Sequence, residues 1–176
     1  MKKIIIIKYG ELSTKKDNKN YFISKLKDNI EITLKNINHN TYYDFGRMFV
    51  ETKDTDEVVN HLKNVFGIQG MFIGYTSNKT ELEDIKSDVI ELLQNKVFKT
   101  FKVVTKRSNK NYPINSMDVS RIIGGHILKN IDCKVDVHNP DILLHVEIRS
   151  ECTYIYIKEI LGLGGYPTGI QGKGLL

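Results

Sequence analysis

At 176 residues and 40% apolar content, the chain can build one ordinary domain or two small ones, and no block is polar enough to read as disordered. The apolar run Ile4 to Ile7 is too short to span a bilayer or to form a signal-peptide core, so a cytoplasmic setting without a membrane partner is expected. The net charge of +5 is concentrated: from Lys99 to Lys134 eight cations face only Asp118 and Asp132, a net +6, and the remaining residues sum to −1.

The first half predicts strand, helix, strand, strand, helix, strand. Lys3 to Lys8 is apolar and β-branched and ends at Gly10, the pattern of a strand. From about Asn18 to Ile37, Phe22, Leu26, Ile30, Leu34 and Ile37 recur at helical spacing, which makes one buried stripe. Thr41 to Phe45 and Arg47 to Thr52 read as a hairpin turning at Gly46. Asp54 with Glu57 has the form of a capping box, opening a helix that buries Val58, Leu62, Val65 and Phe66 and closes at Gly67. Gly70 to Thr76 supplies the last strand. The order βαββαβ is the ferredoxin-like plan, an α+β arrangement with both helices on one face of the sheet.

The pattern restarts near Ser77 to Lys79. Thr80 with Glu83 suggests a second capping box, followed by a helix carrying Leu82, Ile85, Val89, Leu92 and Leu93 to about Asn95. Thr100 to Thr105 predicts a strand and Lys106 to Asn115 a polar loop; Ser116 to Lys129 predicts a helix with Val119, Ile122, Ile123 and Ile127 inward. Strands over about Cys133 to Val137, Ile142 to Ile148 and Thr153 to Ile157 follow, with Asn139-Pro140-Asp141 as a turn. The expected organisation is therefore two small α/β domains, residues 1–76 and 77–160, and a glycine-rich linker over 161–176.

Chemistry-bearing patterns are few. The glycine-rich tail lacks the Walker spacing, since Pro167 stands where the first glycine is required and Gly174 follows Lys173. Cys133 and Cys152 fit neither a zinc spacing nor a disulfide framework and are expected to be reduced thiols. The histidines show no metal-ligand pairing, and no nucleophile–base set can be assigned, so neither a catalytic residue nor a metal site is expected. The informative stretch is Thr105 to Pro113, where Lys106, Arg107 and Lys110 offer cations, Ser108, Asn109 and Asn111 offer polar groups, and Tyr112 offers a stacking face. Arg121 follows two turns into the next helix. A basic segment on a near-neutral background is the footprint of a phosphate-binding surface.

An ordered series of short motifs carries a resemblance across almost the whole chain. It runs Lys8-Tyr9-Gly10-Glu11-Leu12, Asn20-Tyr21-Phe22, Val65-Phe66-Gly67-Ile68, Phe101-Lys102-Val103, Lys106-Arg107, Tyr112-Pro113, Asn139-Pro140-Asp141, Val146-Glu147-Ile148-Arg149 and Gly164-Gly165-Tyr166-Pro167-Thr168-Gly169. The series resembles the N-terminal part of the tRNA 4-thiouridine synthetase family (ThiI, tRNA sulfurtransferase). That resemblance implies a ferredoxin-like domain followed by a THUMP domain that grips the acceptor stem and 3′ CCA end of tRNA. It implies that a PP-loop domain beyond this chain uses ATP and Mg²⁺ to activate the uridine, with sulfur delivered by a cysteine desulfurase. It also implies a link to thiamine thiazole biosynthesis and pairing of the full-length protein as a homodimer. The RNA-facing residues it implies are Lys102, Lys106, Arg107, Lys110, Tyr112 and Arg121, with Lys8 and Lys15 as weaker candidates. Two other readings stay open at this level: a stand-alone THUMP-type adaptor that presents tRNA to a separate enzyme, and a small-ligand regulatory module.

Overall fold

The opening apolar run forms β1 (Lys2–Lys8) in a computed structural model that describes residues 1–9, 18–44, 47–108 and 111–170. Ile5 and Ile7 point to one face of β1 and Ile4 and Ile6 to the other, and all four are buried. Burial on both faces explains why the strand is an unbroken apolar run instead of alternating. The chain divides into two units, Lys3–Ile73 with Glu159–Leu176, and Gly74–Lys158 with Met1–Lys2.

The first unit contains α1 (Lys19–Thr33), β2 (His39–Asp44), β3 (Arg47–Thr52), α2 (Thr55–Leu62) and the start of β4 (Gly70–Ser77). Its strand order is β2-β3-β1-β4, the ferredoxin-like arrangement. The β2–β3 hairpin pairs Asp44 with Arg47 and His39 with Thr52; the predicted turn at Gly46 lies outside the described residues. Phe22, Leu26 and Ile30 of α1 and Val58 and Leu62 of α2 pack against Ile5, Ile7, Met48 and Val50. Each such side chain contributes about 1.5–3 kcal/mol by leaving water.

Three local expectations fail here. The first helix stops at Thr33, with Leu34 as C-cap, instead of continuing to Ile37; residues 34–37 close a turn through Ile37 N–H to Leu34 O. Asp54 occupies the N-cap of α2 but its carboxylate makes no capping bond; instead the Asp54 N–H donates to Thr52 Oγ1. Gly67 is not the glycine closing α2, which ends at Leu62. It stands further on, at φ 99°, after the turn that follows the helix.

The second unit contains the rest of β4, α3 (Leu82–Leu93), β5 (Thr100–Arg107), α4 (Ser116–Asn130), β6 (Lys134–Val135), β7 (Ile142–Ile148) and most of β8 (Thr153–Leu161). Its strand order is β4-β8-β7-β5-β6. β5 runs parallel to β7 from Phe101↔Ile142 to Arg107↔Ile148, and β7 runs antiparallel to β8. Ile85, Val89 and Leu93 of α3 and Val119, Ile123 and Ile127 of α4 cover Phe101, Leu144, Val146, Ile148 and Ile155. The predicted Thr80–Glu83 capping box is absent: Glu81 is the N-cap of α3 and makes no side-chain cap bond, and Glu83 is instead held by Lys86 at 2.7 Å. The strand predicted over Cys133 to Val137 shrinks to two residues.

The tail differs most from expectation. Where a linker is predicted, residues 161–170 lie packed against the first unit. Gly67 N–H donates to Gly164 O at 2.7 Å, Gly164 N–H to Ile68 O at 2.7 Å, and Gly162 N–H to Gln69 O at 3.0 Å. Tyr166 and Phe22 rings sit 5.6 Å apart, and Asn29 Nδ2 donates to Thr168 O. The glycines serve close approach here, because a Cβ on Gly162 would lie 2.3 Å from Ile68 O.

Candidate nucleic-acid interface

Strand alternation sorts the basic residues of β5. Phe101 and Val103 pack in the core under the helices, and Thr105 meets α4 through Ser120, whose hydroxyl donates to Thr105 Oγ1 at 2.8 Å. Arg107 continues that side. Lys102, Val104 and Lys106 therefore stand on the opposite face. The strand was expected to end at Thr105, with Lys106 and Arg107 in the loop; pairing with β7 carries it on to Arg107.

Six of the eight implied RNA-facing residues lie among the described ones. Lys106 is exposed. Lys102 is half-buried and its Nζ donates to Val137 O at 3.0 Å, which leaves two N–H donors for a ligand. Arg121 is 72% exposed and pairs with Asp118 at 3.2 Å, one turn back on α4. Arg107 is committed internally: Nε–H donates to Ser116 Oγ at 3.2 Å and Nη1–H to Tyr112 O at 2.9 Å. These two bonds tie the segment leading out of β5 to the start of α4. Tyr112 is not an open stacking face, since its ring packs against the core and its hydroxyl donates to Thr80 O at 2.9 Å. Burial, and then the Glu81 carboxylate, push the Tyr112 hydroxyl above the ordinary phenol range. Lys110 and Lys15 lie outside the described residues. Lys8, in the first unit, pairs with Glu159 at 3.2 Å.

The set is thus brought together in part. Lys102 and Lys106 share one face of β5, whereas Arg121 stands on α4, which covers the opposite face; Arg107 ties the segment between β5 and α4 through Ser116 and Tyr112. Lys99, Lys129 and Lys134 are exposed as well, and the basic composition of this window was the signal that pointed to them. The start of α4 is closed by Asn115, whose Oδ1 accepts from Asp118 N–H at 3.0 Å. At the far end of the same unit, Asp141 accepts from the N–H groups of Lys99 and Thr100 at 2.9 Å each, and those bonds hold its carboxyl below the usual carboxylate range.

Other chemistry is sparse among the described residues. Both cysteines are free and half-buried. Burial and the adjacent Asp132 push the Cys133 thiol up, the opposite of what an activated thiolate needs. No group of three or more His, Cys, Asp or Glu side chains is arranged to hold a metal ion among these residues. Among the described residues no helix is long and apolar enough to cross a membrane.

The fold defines a two-domain α+β protein with a ferredoxin-like unit and a second unit in which two helices cover one face of a mixed sheet. Residues 4–71 match the ThiI ferredoxin-like domain and residues 79–158 match the THUMP domain. The chain belongs to the tRNA sulfurtransferase family, corresponding to the N-terminal part of its members. It is 47% identical to a "Probable tRNA sulfurtransferase" of Thermoanaerobacter pseudethanolicus, over 98% of this chain and 46% of that protein. It is 41% identical to one of Clostridium acetobutylicum, over 100% of this chain and 46% of that protein. The chain thus spans somewhat under half the length of the relatives it matches.

Two solved structures share the fold at 30% identity. The Pyrococcus horikoshii Ot3 protein PH1313 superposes with a TM-score of 0.85, covering 95% of this chain and 57% of that one. A 4-thiouridine synthetase solved in complex with RNA and bound ATP superposes with a TM-score of 0.81, covering 96% of this chain and 44% of that one.

Proposed function

We propose that this chain holds tRNA, at the acceptor stem and 3′ CCA end, for a sulfurtransferase that makes 4-thiouridine. The observation that carries this reading is the coincidence of the THUMP match with the +6 segment of the chain, in which Lys99, Lys106, Arg121, Lys129 and Lys134 are exposed. Exposed lysine and arginine neutralise phosphates and release counterions, and this sequence-independent term supplies most of the affinity for a nucleic-acid backbone. Arg107 ties the segment leading out of β5 to the start of α4 through Ser116 and Tyr112.

Within this reading the chemistry lies with the part of the relatives that this chain does not match. ATP and Mg²⁺ serve uridine activation there, a cysteine desulfurase supplies the sulfur, and the whole protein works in the cytoplasm as a homodimer with a further role in thiamine thiazole formation. No residue of this chain is assigned to those steps. That a similar 4-thiouridine synthetase was solved in complex with RNA supports the choice of ligand class.

The test is a titration with an acceptor-stem RNA minihelix, with and without its CCA end. Saturable binding that weakens when CCA is removed is expected. Absence of binding at low salt, or equal binding of both RNAs and of a small anion, would refute the reading.

A further inference from the structure

β2 ends the strand order of the first unit, and among the described residues it pairs with β3 alone. That pairing runs from His39↔Thr52 to Asp44↔Arg47 without a bulge. In an antiparallel ladder every second residue turns its N–H and C=O away from its neighbour. The outer side of β2 therefore presents a row of backbone donors and acceptors about 20 Å long.

Proteins blunt such an edge with lysine, proline, a bulge or a very short strand. β2 has none of these. Its six residues read His-Asn-Thr-Tyr-Tyr-Asp, the middle is rich in strand-forming types, and the one acidic residue, Asp44, stands last. The edge strand of the second unit is built the protected way: β6 has two residues, and one is a lysine.

The open edge is also held in place. His39 Nε2 lies 3.0 Å from Glu31 Oε2 and its Nδ1 lies 2.7 Å from Ile37 O, which ties the start of the strand to α1. Thr41 is buried, and Tyr43, 44% exposed, sets its ring 6.4 Å from that of Tyr9. An edge fixed in this way meets little ordering cost when a further strand joins it.

We propose that β2 is a self-association surface, to which the same strand of a second copy adds antiparallel about a two-fold axis. Pairing of this kind is isologous, so each strand supplies the donors and acceptors that the other lacks. The charges suit it. Antiparallel pairing keeps the two Asp44 residues at opposite ends of the ladder, each at the His39 end of the other strand, and the middle is uncharged. An RNA backbone is not the occupant, because β2 holds neither lysine nor arginine. The edge has no run of charge that would select a different protein, whereas a copy of itself needs none. This surface goes beyond the RNA reading and does not rest on it.

The experiment is sedimentation equilibrium on the 176-residue chain, as wild type, Asn40→Lys and Tyr43→Lys. A ladder this short falls below the roughly 1,200 Å² of stable interfaces, so a weak dimer is expected and loading runs from about 1 to 500 µM. The wild-type mass should rise from one chain toward two, and amide exchange in β2 should slow over the same range. Each lysine should weaken the dimer by at least about tenfold, since the two-fold axis sets ammonium groups on both sides of the ladder. Asn40 is exposed, so its variant keeps the test valid even if Tyr43→Lys unfolds; circular dichroism checks both. A wild type that stays monomeric throughout overturns the proposal, whether the edge then serves another protein or none. So does a dimer whose strength the folded lysine variants leave unchanged. Neither result touches the RNA reading, which the minihelix titration decides.

Discussion

Gly67 offers a direct measure of how firmly residues 161–170 are built into the first unit. Its φ is 99°, a region L-residues avoid, so any side chain there costs about 1–2 kcal/mol in backbone conformation. A Cβ would also lie 2.9 Å from Pro167 Cγ and 3.1 Å from Leu26 Cδ1, an overlap of the kind that costs about 1–3 kcal/mol. Gly164 is the matched control, because its φ is 68° yet a Cβ there meets nothing within 4 Å. Gly67→Ala should therefore destabilise by about 2–5 kcal/mol, and Gly164→Ala by about 1–2 kcal/mol. Thermal unfolding followed by circular dichroism would show the difference as a midpoint lowered by roughly 4–20 °C against 2–8 °C. Adding Pro167→Ala to Gly67→Ala should recover part of the loss, since the two side chains share one contact. Equal effects at Gly67 and Gly164, or strict additivity with Pro167→Ala, would refute the packing.

Three further outcomes follow from the second unit. Arg107→Ala removes two charge-assisted bonds to Ser116 and Tyr112 and should lower stability by about 1.5–3 kcal/mol in urea unfolding; Arg107→Lys cannot fork between the two acceptors and should recover little of it. Tyr112→Phe loses the bond to Thr80 O, about 0.5–1.5 kcal/mol, and should leave RNA affinity unchanged because that ring is not a free stacking surface. The raised Tyr112 hydroxyl stays protonated in the folded state while the unfolded chain ionises, so its contribution is present below the unfolded phenol pKa and is lost as alkaline pH rises; Tyr112→Phe should flatten that loss. Asp141 has a depressed folded value, so its contribution is present above the ordinary carboxylate pKa and lost as pH falls through the folded one. Asp141→Ala should lower the melting midpoint at neutral pH, with the gap from wild type closing in strong acid.

Much of the fold was legible because burial imposes periodicity on the sequence. The stripe Phe22, Leu26, Ile30 gives α1, and the β-branched runs give β1, β5 and β7, which places both domains. Helix starts were less legible: Asp54 and Thr80 have the residue types of capping boxes, but the hydrogen bonds of those segments go elsewhere, to Thr52 and to Lys86. The glycine-rich tail was misleading, since glycine is equally demanded by a mobile loop and by backbones that must nearly touch, and only the position of Ile68 O beside Gly162 tells them apart.

At the candidate interface, composition located the basic segment but not the role of each side chain. Arg107 and Lys106 are adjacent in sequence and similar in chemistry, yet alternation of β5 turns one toward Ser116 of α4 and the other into solvent. The partner of Arg107 lies nine residues on, across a loop, and no spacing rule predicts it.

The central claim is that exposed cations of the second unit hold an RNA backbone. Its most direct measurement is the salt dependence of minihelix binding by wild type and Lys106→Ala. With four to six phosphate contacts, log K should fall against log salt with a slope of about −3 to −5, and Lys106→Ala should reduce that slope by about 0.7–0.9. A slope near zero, or one that Lys106→Ala leaves unchanged together with the affinity, would contradict the account.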